Sequence, residues 1–131
     1  MPLIAAEAEI AQFFDGFVTA FGTFDGKIVG ALFIAPGVAL KQDGTLHGFA
    51  TQRDIETYYQ NALDHYRASG CLGCRYSDLD IRFLNERSII ATASWDLIGQ
   101  DGSASMHWRQ AYFLSRNRNT WRIFGSAFVS H

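Results

Sequence analysis

With 131 residues the chain has the length of one ordinary domain, enough to bury a sizeable core. Hydrophobic residues make up 48% and aromatics 15%, with Phe alone present 11 times, which excludes a disordered chain and requires large side chains to line a core or a cavity. Lys plus Arg at 11 against Asp plus Glu at 13 leaves a formal charge of -2, too weak a field to recruit nucleic acid or an anionic membrane surface.

The first fourteen residues carry Glu7 and Glu9 and no basic residue, so they lack the charged start of a secretory signal. No apolar run is long enough to span a bilayer. The expectation is a soluble, cytoplasmic protein folded as a single domain over 1–131. Ile10, Phe13, Phe14, Phe17, Val18 and Phe21 recur at the spacing of one helical face and predict a first amphipathic helix. Gly22 ends it. Thr23 or Asp25 can cap a short second helix with Ile28, Val29, Leu32 and Phe33 on its apolar side, stopped by Pro36-Gly37.

From Val38 the period changes, and Asp43-Gly44 between Val38–Lys41 and Thr45–Phe49 is a hairpin signal. Thr51 and Asp54 then stand at the spacing of a capping box. They precede Ile55, Tyr58, Tyr59, Ala62, Leu63 and Tyr66, which predict a third helix ending near Gly70.

Cys71 and Cys74 follow that helix's C-terminus, where the helix dipole opposes a thiolate, and a zinc site would need further ligands from elsewhere in the chain. They read as two structural thiols, with no metal or cofactor expected. Four extended stretches close the chain: Arg75–Leu84, Ile89–Ile98, Ala104–Ser115 and Thr120–Ser130. Turn residues separate them, which predicts an antiparallel meander. The element order is α-α-β-β-α-β-β-β-β, an α+β chain.

That order, with Leu32-Phe33 before a Pro-Gly bend, Leu46-His47-Gly48 followed by Asp54-Ile55, and Trp121-Arg122-Ile123 in the last strand, resembles the nuclear transport factor 2-like superfamily. The resemblance extends over essentially the whole chain and includes SnoaL-like polyketide cyclases and ketosteroid isomerases. It implies a cone-shaped curved antiparallel sheet wrapped around three helices, an apolar pocket, and homodimers formed through the sheet face. The superfamily holds isomerases, cyclases, dehydratases and non-catalytic binding domains, so fold does not select function. Measured against the isomerases, Phe17 stands where they carry an oxyanion Tyr, Lys41 or Gln42 near their base, and His107 near their protonated Asp. Asp43 lies beside the base position, although before Gly44 it reads as a turn residue.

Counting outward from Asp101-Gly102 pairs Asp96 with His107, Ser94 with Arg109 and Trp95 with Trp108. One face then carries Thr92, Ser94, Asp96, His107, Arg109 and Phe113, and the other carries Ala91, Ala93, Trp95, Leu97, Met106, Trp108 and Tyr112. The isomerase placement puts the first face inside the cone, with His107 as general base, Asp96 orienting it and Arg109 holding a ligand oxygen. Phe17, Tyr58 and Phe113 would then contact the ligand. In the alternative, favoured by hydrophobicity alone, the tryptophan face packs under the helices and the charged residues point outward.

Two functions follow. The first is a cofactor-free cyclase, dehydratase or isomerase acting on a small apolar substrate. The second is a non-catalytic domain that binds a small hydrophobic ligand or forms a homodimer, with Trp108 and Tyr112 on an exposed sheet face suited to that contact.

Overall fold

Helix α1 runs over Leu3–Phe21 in the computed structural model, which describes residues 3–131, with side chains from Ala6 onward. Met1 and Pro2 of the expected 1–131 domain lie outside the described residues. The helix buries Ile10, Phe14, Phe17 and Phe21, the stripe its spacing predicts. It starts well before Ile10 because the Ala- and Glu-rich run ahead of the stripe favours helix, and Ala6 in that run is buried as well.

Helix α2, Gly26–Gly30, is a single turn capped by Asp25, whose carboxylate accepts from the Lys27 N–H at 2.9 Å. Leu32 and Phe33, expected on its apolar side, have already left it. The Leu32 carbonyl accepts from Ile123 N at 2.9 Å, and Phe33 opens strand β1, Phe33–Leu40. Gly26 is required by contact: a Cβ there would lie 2.5 Å from the Glu56 carbonyl oxygen of the long helix that follows the hairpin.

Strand β2, Leu46–Phe49, returns against β1 through the Asp43-Gly44 turn, where Gly44 takes φ +87° and the Asp43 carboxylate accepts from Thr45 N at 2.9 Å. Helix α3, Gln52–Ala68, has the full capping box. Thr51 Oγ1 accepts from Asp54 N at 3.1 Å, and the Asp54 carboxylate accepts from Thr51 N at 3.1 Å.

The meander consists of β3 (Gly73–Asn85), β4 (Ser88–Ile98), β5 (Ala104–Asn117) and β6 (Thr120–Ser130). All the strands join one six-stranded sheet in the order β2-β1-β6-β5-β4-β3. The seam between hairpin and meander is a parallel pairing of β1 with β6, in which Phe33 faces Ile123 and Ala39 faces Ser126. The cross-strand count from the Asp101-Gly102 turn holds: Asp96 pairs with His107, Ser94 with Arg109 and Trp95 with Trp108.

Side chains alternate across β4, so Ile89, Ala91, Ala93, Trp95 and Leu97 are buried on one face. This face meets α1, with the Phe14 ring 5.5 Å from Tyr112 and the Phe17 ring 5.1 Å from Trp95. The tryptophan face therefore points into the cone. A polar tie fixes α1 at the far edge: the Tyr76 hydroxyl of β3 donates to the Asp15 carboxylate at 2.7 Å. Burial and then that bond push the Tyr76 phenol up to about 12.

Candidate ligand-binding cavity

Between the inner sheet face and helices α1 and α3 the packing leaves a cavity of about 270 Å³. Phe17 and Phe21 of α1 form one wall, and Tyr58, Tyr59 and Tyr66 of α3 form a second. The sheet supplies Trp95, Trp108 and Tyr112. These positions follow from two periods, helical in α1 and α3 and alternating in β4 and β5, which place bulky side chains opposite one another. The aromatic content thus goes partly to filling the core and partly to walling a space that it does not fill.

The cavity mouth is polar. Lys41 and Gln42 come from the end of β1 and the turn after it, Gln110 from β5, and His131 from beyond β6. Gln42 Nε2 and His131 Nε2 lie 2.5 Å apart, the His131 ring is 5.0 Å from Phe128, and Lys41 Nζ stands 5.9 Å from the centre of the Tyr58 ring. Trp108 Nε1 donates to Gln110 Oε1 at 3.2 Å, turning an indole edge towards the opening.

Among the described residues no Asp or Glu lines this space. The ionisable groups deep in its wall are phenols and a thiol, and burial holds each in its neutral form. Burial, reinforced by Tyr58 and Tyr66, raises Tyr59. Tyr59 retains some accessible surface because it faces the cavity, yet protein surrounds it at longer range and burial still dominates. Tyr66 is raised by burial and by Tyr58, and Tyr112 is raised well above a free phenol by burial and by Tyr59. The Cys74 thiol is pushed up to about 12 by burial and by Cys71, which leaves it a protonated thiol at neutral pH.

Phe17 and Tyr58 line the cavity where the sequence placed them. The expected dyad also forms: His107 Nδ1 and Asp96 Oδ1 are 2.6 Å apart, and Arg75 Nε donates to Asp96 Oδ2 at 3.1 Å. Its position inside the cone is corrected. Asp96 and His107 share the outer face of the sheet, where the His107 side chain is 55% exposed, because neighbouring Trp95, Leu97 and Trp108 take the inward positions. His107 and then Arg75 hold the Asp96 carboxyl below its usual range.

Arg109 also lies away from the cavity and bonds to β3 and β4. Its Nη1 donates to the Asp78 carbonyl at 2.9 Å and to Ser94 Oγ at 3.0 Å. Asp78 sits at φ +52° in a register shift of β3 between Ser77 and Asp80, so the guanidinium satisfies a carbonyl that the strand ladder misses. Phe113 also lies outside, with its ring 6.1 Å from Phe124 and packed over Gly125.

Trp108 and Tyr112, expected on an exposed dimer face, line the cavity instead. His47 packs between Phe49 and Tyr58, each ring 4.8 Å away. Lys41 and Gln42, which the isomerase placement set near a base position, stand at this mouth, whereas His131 had no sequence signal, because nothing local brings the turn after β1 beside the end of β6.

A family model described as NTF2-like protein (DUF6841) matches residues 7–131. No curated protein sequence matches. Among solved structures, Aln2 from a Streptomyces species is similar at TM-score 0.80 and 14% identity, over 99% of this chain and 94% of that one. An NTF-2 like protein of unknown function from Shewanella oneidensis is similar at TM-score 0.76 and 12% identity, over 94% and 98%. A protein described as a candidate scytalone dehydratase from Novosphingobium aromaticivorans is similar at TM-score 0.71 and 10% identity, over 98% and 85%. At such identities the likeness establishes the fold alone.

Proposed function

Given that the chain belongs to the family of NTF2-like proteins (DUF6841), we propose that its working surface is the aromatic cavity and that it binds a small, largely apolar, uncharged molecule there. The observation that carries this reading is the 270 Å³ space itself, walled by rings and neutral hydroxyls and opening at a polar rim. That volume lies just under the range of drug-sized pockets and suits a ligand of about two fused rings. An anion would lose its hydration in a wall that already keeps phenols and a thiol un-ionised.

Naphthalene titration tests it, read by the fluorescence of Trp95 and Trp108, which both line the space. Saturable quenching is expected in the wild type. Ala62, on the α3 side of the cavity, is replaced by Trp to fill it; affinity drops at least tenfold with an unchanged far-ultraviolet spectrum. Failure of the wild type to saturate, or unchanged affinity in Ala62→Trp, removes the reading.

Turnover of the bound molecule by a cyclase, dehydratase or isomerase reaction is a second reading. The buried phenols support it as proton donors, and so does the neighbour described as a candidate scytalone dehydratase. In both readings we assign Asp96, His107 and Arg109 to joining β3, β4 and β5. We also propose that a second copy covers the outer face, where Val38 and Phe124 are 42% and 40% exposed beside Phe113. A monomer in sedimentation at high concentration removes the dimer and leaves the cavity untouched.

A further inference from the structure

The inner wall holds a buried side-chain donor with no acceptor. Among the described residues, Trp95 Nε1 is the buried side-chain polar atom without a hydrogen-bond partner, and the residue is 2% exposed. Indole N–H is a donor only, and native interiors leave such groups unpaired rarely and at a cost. The group nearest to serving it is the Tyr112 hydroxyl. Their rings meet edge to face at 6.4 Å, and the indole N–H eases the upward shift that burial gives the phenol, yet the two do not reach hydrogen-bond geometry.

Tyr112 itself faces other donors. The groups that act on it electrostatically are Tyr59, Cys74 and Tyr66, each carrying its own proton, and among the described residues no carboxylate lines the cavity. The polar groups acting on Tyr112 are therefore O–H, S–H and indole N–H groups, and among the described residues no charged acceptor lines the space. The partner missing from this arrangement is an oxygen that brings lone pairs and no negative charge, since burial penalises a carboxylate here as it penalises the phenolates.

We infer that the cavity takes a ring-sized molecule bearing a carbonyl group, whose oxygen accepts from the Tyr112 hydroxyl while the Trp95 indole N–H closes onto the Tyr112 oxygen from behind. Both side chains line the cavity, Tyr112 on β5 and Trp95 on β4. The chain of two bonds satisfies the stranded indole and aligns the phenol, so each strengthens the other. Tyr112 touches the ligand, and Trp95 acts through it as a positioning residue. This inference rests on the cavity being a ligand site, and deepens that reading by naming the ligand's polar group.

The test compares 1-tetralone with tetralin, the same bicycle with and without the carbonyl, in the wild type, Tyr112→Phe and Trp95→Phe. The wild type should bind the ketone about tenfold more tightly than the hydrocarbon, the scale of one or two buried hydrogen bonds. Tyr112→Phe should bring the ratio to about one, because the ketone loses the bond that tetralin never makes. Trp95→Phe should give an intermediate ratio. The infrared carbonyl stretch of bound tetralone gives an independent reading: lowered in the wild type, restored in Tyr112→Phe and partly restored in Trp95→Phe.

Equal binding of both compounds with an unshifted carbonyl overturns the inference and leaves the cavity reading standing, as it would if water rather than ligand served the indole. Absence of binding by either compound overturns both. A carbonyl stretch lowered as much in Trp95→Phe as in the wild type overturns the role given to the indole.

Discussion

Strands β4 and β5 present two surfaces from one backbone pairing, and the two differ in everything but register. On the inside, Trp95, Trp108 and Tyr112 border a cavity in whose wall burial keeps Tyr59, Tyr66, Tyr112 and Cys74 neutral. On the outside, one residue along each strand, Asp96, His107 and Arg75 form a charged cluster at hydrogen-bond distance, with the His107 side chain 55% exposed. The outer cluster has the residue types and spacing of a catalytic dyad, whereas the inner surface has the enclosure that recognition and catalysis need. Water screens a charge pair on an open sheet face, and such pairs contribute little to stability or to reactivity. Enclosure, more than the identity of a close pair, is what favours the inner face in the reading proposed above.

The sharpest way to break this comparison is to measure what each face contributes to stability. Phe14 is fully buried against Tyr112, Trp95 and Tyr76. Phe14→Ala should cost about 3–5 kcal/mol in urea unfolding, combining lost transfer energy with the cavity left behind. Thr92→Ala on the outer face should stay within about 0.5 kcal/mol. Comparable losses from the two would show that the faces are not divided as described.

Arg109 tests the outer face as a mechanical layer. Its two bonds satisfy the Asp78 carbonyl at the β3 register shift and cover Ser94, which is 7% exposed. Arg109→Met keeps the apolar stem and removes the donors, so it should destabilise by about 1 kcal/mol. Amide exchange should accelerate around Ser77 to Asp80 before it does in β5, while naphthalene affinity stays at the wild-type value. Loss of ligand binding with intact strand protection would return Arg109 to the role of anchor.

Much of this arrangement was legible in the sequence because it is local. The stripe from Ile10 to Phe21, the Thr51–Asp54 capping box and the Asp96–His107 pairing each follow from a short-range period or turn rule. The parallel pairing of β1 with β6 was not legible, since it joins segments some ninety residues apart with no turn between them to fix the register. Alternation separates two faces and does not say which one points inward. The apolar run Ala91, Ala93, Trp95 and Leu97 carried that sign, and the placement borrowed from the isomerases worked against it. Tyr112 and Trp95 were visible as aromatics. The unsatisfied indole N–H of Trp95 was not, because pairing is a property of the assembled wall.

The smallest expected effect concerns the dyad. Asp96 has its folded-state pKa lowered, first by His107 and then by Arg75, so its contribution is present above the unfolded carboxyl value of about 3.9 and is lost as pH falls through the folded value. Asp96 is covered by the two side chains it binds and not by the body of the protein, so screening holds this contribution to a few tenths of a kcal/mol. The stability difference between wild type and Asp96→Asn should therefore be small near neutral pH and should vanish as pH falls through the folded carboxyl value, which lies below the unfolded one. Tetralone and naphthalene affinities should be identical in the two proteins at every pH in that range. A large stability gap, or a ligand affinity that follows Asp96, would mean that the charged cluster communicates with the cavity through β4 and that the two faces work as one site.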